Sequence, residues 1–229
     1  MIDFRDFIRF LKNPSPEYKI DINSFSTFLK LVWKSFIILL VADIILGLFF
    51  CGPLLYFNLF PSLKKINFSL INILKISLYY PIMEEIIFRL PLRISKFNLI
   101  LPLSLFIFFL VFKHCLSNFY IAISLFIILY LSLFLFIKEE SKFFTSLINF
   151  FTLKFRLVFY SQGLIFGFLH LTNYNLDFKY FYLFPFFIMN YIFTGWFWGY
   201  LRIRYSKGIY LCIASHIFIN GIYFILLGH

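Results

Sequence analysis

Charge is what this sequence has least of. Asp, Glu, Lys and Arg make up 14% of the 229 residues, against 62% hydrophobic and 24% aromatic. A soluble domain carries about 25% charged and about 45–50% apolar residues, so the deficit excludes an ordinary water-soluble domain and points to a polytopic membrane protein. Cysteine is nearly as scarce. Cys51, Cys115 and Cys212 are scattered, odd in number and without CxxC spacing, which excludes a disulfide framework and a metal knuckle. A cleavable signal peptide is not expected, because the first long apolar run begins near Leu31, behind charged residues. The chain shows no internal repeat and no separate soluble domain.

What charge there is has one dominant sign. The formal net charge is +11, which would suit a nucleic-acid binder, but in a membrane protein Lys and Arg gather at cytoplasmic ends. No nucleic-acid partner is therefore expected. The 38 Phe residues reflect an AT-rich composition bias as much as physics, and single Phe residues mark no function.

A span needs about 20 mostly apolar residues. Seven runs qualify or come close: Leu31–Phe50, Phe68 to about Leu92, Leu99–Phe112, Phe119–Ile137, Leu157–Leu171, Tyr180–Leu201 and Ile209–Leu227. The third and fifth are short, and either could extend into its flanks or be re-entrant. The fold class is thus all-α, a transmembrane helical bundle of about seven to eight spans. With the N-terminus in the cytoplasm, 14 of the 21 Lys and Arg residues fall in cytoplasmic segments. Four (Lys64, Lys65, Lys113 and Lys179) fall in outer loops, and Lys34, Lys75 and Arg89 lie within spans. That bias sets the N-terminus inside and the C-terminus outside, in what is read as a bacterial cytoplasmic membrane.

Two stretches outside the spans are amphipathic. Phe4, Phe7, Ile8 and Leu11 share one helical face opposite Asp3, Arg5, Asp6, Arg9 and Lys12, the pattern of a helix lying on the inner leaflet. Phe143, Phe144, Leu147, Ile148 and Phe151 form a similar stripe. Both are expected to be surface anchors. Residues 1–30 are read as a cytoplasmic amphipathic segment and residues 31–229 as a single intramembrane domain.

Polar residues inside spans are costly and mark functional sites by default. Glu84, Glu85 and Arg89 lie together within the second run. On a helix Glu85 and Arg89 are neighbours and can pair, while Glu84 is turned about 100° away and free to face elsewhere. The alternative is a charge cluster that fastens helices together. His170 falls late in the fifth run, behind Phe166, and His216 shares a face with Asn220 in the last. Counting about 1.5 Å per residue from the cytoplasmic helix ends puts Glu84 about 18 Å deep, His170 about 21 Å, Asn220 about 18 Å and His216 about 12 Å. The four can therefore meet in one cavity. A carboxylate could take a proton from water, and imidazoles and an amide could donate to an oxyanion. Asp43, mid-span in the first run, is expected to pair with a neighbouring helix, and His114 and His229 to be solvated at span ends.

Glu84-Glu85-x-x-x-Arg89, Phe166-x-x-x-His170 and His216-x-x-x-Asn220, in that order over about residues 80–221, resemble the three-motif signature of the CPBP family of CAAX proteases and bacteriocin-processing enzymes, also called the Abi family. The resemblance implies an intramembrane glutamic endopeptidase acting on a peptide or membrane-protein substrate within the lipid bilayer. It implies Glu84 as catalytic base, His170 assisting, His216 and Asn220 as the oxyanion site, and Glu85, Arg89 and Phe166 in support. Prenylated C-terminal peptides are implied by the family name alone. Two features depart from the pattern: Leu90 and Pro91 follow the motif Arg where Gly is usual, and the gap from Arg89 to Phe166 holds an extra pair of runs, Leu99 to Ile137. No cofactor is expected. A carboxylate and two imidazoles could instead bind zinc, through Glu84, His170 and His216, although His-Glu-x-x-His is absent. A non-enzymatic immunity or scaffold protein that keeps the fold, and a proton-coupled transporter, are the other classes these residues allow.

Overall fold

The computed structural model describes residues 2–17, 20–56, 69–115, 119–175 and 178–227; the side chains of residues 109–115, 119, 120, 122, 178–180, 226 and 227 are not among those described. Lys64, Lys65 and His229 therefore lie outside the described residues, as do the side chains of Lys113, His114 and Lys179.

Nine helices make up the described chain. A short α1 spans Phe4–Lys12. Helix α2 starts at Phe25 and continues through a π turn at Gly47–Cys51 to Tyr56. Helix α3 runs Leu70–Leu74, passes through a second π turn at Lys75–Tyr79, and resumes as Tyr80–Arg89. Then come α4 (Lys96–Cys115), α5 (Phe119–Phe136), α6 (Lys142–Leu153), α7 (Phe155–Leu169), α8 (Phe184–Arg204) and α9 (Gly208–Leu227). The seven apolar runs coincide with α2, α3, α4, α5, α7, α8 and α9. By length and composition, Phe25–Tyr56 and Gly208–Ile225 are long and apolar enough to cross a membrane, and Lys96–Phe108 and Ile123–Phe136 are shorter apolar helices.

Both π turns have the same local cause. Each ends just before a proline, Pro53 in α2 and Pro81 in α3. Proline has no N–H to give the carbonyl four residues back and its ring crowds that carbonyl. Widening the preceding turn relieves the clash. Helix α3 is ended by Leu90-Pro91-Leu92, a single tighter turn.

The outside of the bundle is as apolar as its inside. Val41, Ile44, Ile45 and Leu48 of α2 and Ile127, Ile128, Leu131 and Leu135 of α5 are all exposed, the surface a lipid-facing helix presents. Between such helices the hydrophobic effect gives little drive, so close association depends on small residues. The α7–α8 seam shows this. A Cβ on Gly195 would stand 3.0 Å from the Gly163 Cα, and one on Gly167 would stand 2.5 Å from the Ile192 side chain. Helix α8 is consequently the most enclosed element, with Phe187, Ile188, Ile192, Phe197, Trp198, Tyr200 and Leu201 all buried. The extra pair α4–α5 packs as a peripheral hairpin, with Phe108 and Phe126 in edge contact at 5.6 Å. Asp43 pairs across helices as expected, accepting from the Tyr223 hydroxyl of α9 at 2.7 Å.

Basic side chains lock one end of the bundle. Arg202 of α8 donates to the Arg89 and Leu90 carbonyls at the end of α3, at 3.2 and 3.4 Å. Arg93, just beyond α3, donates in return to the Ser206, Ile203 and Tyr205 carbonyls at the end of α8. Each arginine meets the unsatisfied carbonyls of the other helix's C-terminus, where the helix dipole also favours positive charge.

Helix α1 corrects an expectation. Phe7 and Phe10 are buried, while Phe4 and Ile8, expected on the same apolar face, are exposed. The Phe7 ring meets Phe193 and Phe197 of α8, and Phe10 meets Phe159 of α7. Asp6 accepts from Arg204 at 2.5 Å and from the Tyr200 hydroxyl at 2.9 Å, Tyr160 donates to the Leu11 carbonyl, and Arg156 to Asn13. The segment that follows is tied to the α8–α9 turn by a parallel bridge between Ile20 and Tyr205. Helix α1 is thus packed onto α7 and α8, because its polar residues find partners at the basic end of those helices. Helix α6 is closer to expectation: Phe144 is buried, and Phe143, Phe150 and Leu153 are exposed.

Candidate active site

Glu84 and Glu85 sit one turn above the end of α3, and their surroundings divide them sharply. The Glu85 side chain is fully buried and has two partners. Arg89 Nε lies 3.2 Å from its Oε2, and His216 Nδ1 lies 2.9 Å from its Oε1. Glu84 keeps a third (33%) of its side chain open, and its nearest charged neighbour is His216 Nε2, 3.9 Å from Oε2. Arg89 completes its surroundings with aromatic faces. Its guanidinium carbon lies 4.1 Å from the Phe166 ring centroid and 5.4 Å from that of Trp198.

The expected pairing of Glu85 with Arg89 is present, and the bond to His216 is an addition that sequence did not show. A carboxylate only accepts, so His216 carries its Nδ1 proton toward Glu85. Its ring is stacked on Trp198, centroids 3.9 Å apart and planes at 27°.

His170 ends α7. Its Nδ1 lies 2.8 Å from the Phe166 carbonyl, which can only accept, so the proton sits on Nδ1 and the Nε2 lone pair is free in the neutral ring. Tyr191 of α8 stacks against it at 4.2 Å and 24°. The Phe166 ring touches His170 (4.4 Å between centroids) and approaches His216 (6.4 Å).

Depth resolves the arrangement further. Helix α3 and the turn that follows it reach Leu92 rather than Lys96, so Glu84 stands ~12 Å from Leu92, level with His216, which is ~12 Å above Gly208. His170 is deeper, ~22 Å above Phe155. Asn220, one turn beyond His216, donates to the Ile76 carbonyl at 3.1 Å, inside the π turn of α3. The glutamates, Arg89 and His216 therefore form one connected cluster, Phe166 links it to His170, and Asn220 ties α9 to α3 on its outer side. Among the described residues no hydrogen bond joins His170 to Glu84 or His216. The missed contributors are Trp198 and Tyr191, for which a chain with 24% aromatic residues gives no signal.

Among the described residues no three His, Cys, Asp or Glu side chains are grouped closely enough to hold a metal ion, so Glu84, His170 and His216 do not form such a set.

A family model described as type II CAAX prenyl endopeptidase Rce1-like matches residues 66–222, the stretch that holds every residue of the cluster. The chain belongs to the Rce1-like family. The match covers more than half the chain and agrees with the resemblance carried by the three motifs. As an Rce1-like protein it is an integral membrane helical bundle and, in general terms, an intramembrane endopeptidase of the CAAX-protease type. No curated protein and no solved structure matches the chain.

Proposed function

We propose that this chain cleaves a peptide bond of a membrane-bound peptide or membrane-protein segment with a water molecule activated by Glu84. The observation that carries this reading is the asymmetry of the two glutamates. Glu85 is sealed between Arg89 and His216, while Glu84 keeps a third of its side chain exposed and, among the described residues, has its ion-pair contact with His216 Nε2.

Glu84 takes one proton from the water, and His170 Nε2 accepts a hydrogen bond from the O–H that remains and so orients the oxygen. The hydroxide adds to the scissile carbonyl carbon. The oxyanion that forms needs donors already in place. His216 supplies one from Nε2 when protonated, a state that brings the formal sum of Glu84, Glu85, Arg89 and His216 to zero. Asn220 has a second N–H beyond the one used on Ile76 and supplies the other. The C–N bond then breaks as Glu84 returns its proton to the leaving nitrogen.

The test is cleavage of farnesylated and unlipidated quenched-fluorescence tetrapeptides by the full chain in lipid nanodiscs, for wild type, Glu84→Gln and Glu84→Asp. Turnover in the wild type that falls by orders of magnitude in Glu84→Gln supports the reading. Turnover untouched by that change sinks it, and the relative rates on the two peptide sets show whether a prenyl group is needed.

A further inference from the structure

We infer that Tyr191 and Trp198 are positioning residues, two turns apart on α8, that fix the planes of the His170 and His216 rings and so set where each Nε2 atom stands. The inference rests on the function proposed above and deepens it.

Each imidazole is held through Nδ1, His170 on the Phe166 carbonyl and His216 on Glu85. One hydrogen bond fixes where Nδ1 is. It leaves the ring free to swing about the Nδ1···O axis, and that swing carries Nε2 sideways. A flat partner on the ring face removes it. Both imidazoles have such a partner, at 4.2 Å and 24° for Tyr191 and 3.9 Å and 27° for Trp198. The remaining stacked pairs among the described residues are much looser, at 5.8–6.5 Å. In a chain crowded with Phe, the tightest parallel contacts are therefore the ones made to histidine.

The platform is itself rigid. Residues seven apart lie about 20° from one another around a helix, so Tyr191 and Trp198 share a face of α8. That helix is pressed onto α7 through Gly163, Gly167 and Gly195, where an added Cβ would meet its neighbour at 2.2, 2.5 and 3.0 Å. Trp198 is almost wholly buried. Neither aromatic ring is proposed to touch substrate.

The experiment uses the full chain in nanodiscs with Trp198→Phe, Trp198→Met, Tyr191→Phe, Tyr191→Met and Glu84→Gln. It measures kcat and KM on a peptide the wild type cleaves, and the ring nitrogen shifts of His170 and His216 by NMR. The Phe variants keep a flat partner and are expected to stay within about 3-fold of wild-type kcat, as volume-tolerant swaps do. The Met variants are expected to lose roughly 10- to 100-fold in kcat, the scale of a misaimed catalytic group, with KM little changed and ring shifts moving toward mixed tautomers. Met variants with wild-type kcat and ring shifts overturn the inference, as do folded Phe variants that lose as much as their Met counterparts. Where a Met variant does not fold, the Phe variant decides: retained kcat and ring shifts support the inference, and their loss overturns it. Full activity in Glu84→Gln defeats the proposed function instead, while the ring shifts still report on the stacking.

Discussion

Glu85 and His216, 131 residues apart in sequence, meet through a 2.9 Å hydrogen bond between α3 and α9. The same carboxylate takes Arg89 on its other oxygen. One buried anion therefore holds a cation on its own helix and a histidine on another. Removing one member strands the rest in a poorly solvated interior.

Glu85→Gln and Arg89→Met are each expected to destabilise the protein by about 3–5 kcal/mol, the usual cost of breaking a buried pair. The double variant should lose less than the two singles together, because neither charge is then left alone. Denaturation midpoints in detergent micelles measure this. Strict additivity would show that the two side chains do not act as a pair.

The glycines give a ranked set. A Cβ on Gly208 would stand 2.4 Å from the Leu201 carbonyl oxygen and 2.6 Å from that of Arg202, both fixed backbone, whereas one on Gly52 meets nothing within 4 Å. Of Gly208, Gly195 and Gly52, Gly208→Ala should be the most damaging, Gly195→Ala should cost about 1–3 kcal/mol for overpacking, and Gly52→Ala should be close to neutral. An unfolding series that places Gly52→Ala above Gly195→Ala would contradict the α7–α8 seam.

Glu84, His170, His216 and Asn220 stand out in the sequence as polar groups inside apolar runs, and the structure brings Glu84 and His216 within 3.9 Å of each other while His170 and Asn220 bond to backbone carbonyls. The Glu85–Arg89 pair was legible because four residues make one helical turn. The Glu85–His216 bond was not, since no periodicity within one helix encodes the register between two. Tyr191 and Trp198 were hidden by the abundance of aromatics. For α1 the amphipathic pattern is real, but it cannot say whether lipid or protein covers the apolar face. The structure buries Phe7 and Phe10 against α7 and α8 and leaves Phe4 and Ile8 outside.

That docking has two components of very different size. The Asp6–Arg204 ion pair is partly exposed, with 26% and 12% of the two side chains accessible, so Asp6→Asn is expected to cost less than about 1 kcal/mol, and less again in high salt. Phe7→Ala should cost about 3–5 kcal/mol. The hydrogen bonds that Arg204 donates to Asp6 hold its guanidinium above its ordinary ionisation range. Stability from a raised cation is present below its unfolded value and lost only as pH climbs through the folded one. Arg204 therefore adds no pH dependence near neutrality. Unfolding of the two variants at low and high salt checks the order.

A zinc chelator separates the two chemistries that a carboxylate and two histidines permit. With Glu84 acting on water directly, EDTA and phenanthroline should leave peptide cleavage unchanged. Loss of activity that zinc restores would require Glu84, His170 and His216 to close around a metal.

The central claim is that Glu84 activates the water, and the most direct measurement compares the new peptide termini in membranes of cells expressing wild type or Glu84→Gln at equal levels. The expected result is a set of cleavage products present with wild type and lost with Glu84→Gln. The same products at the same abundance from both would contradict it.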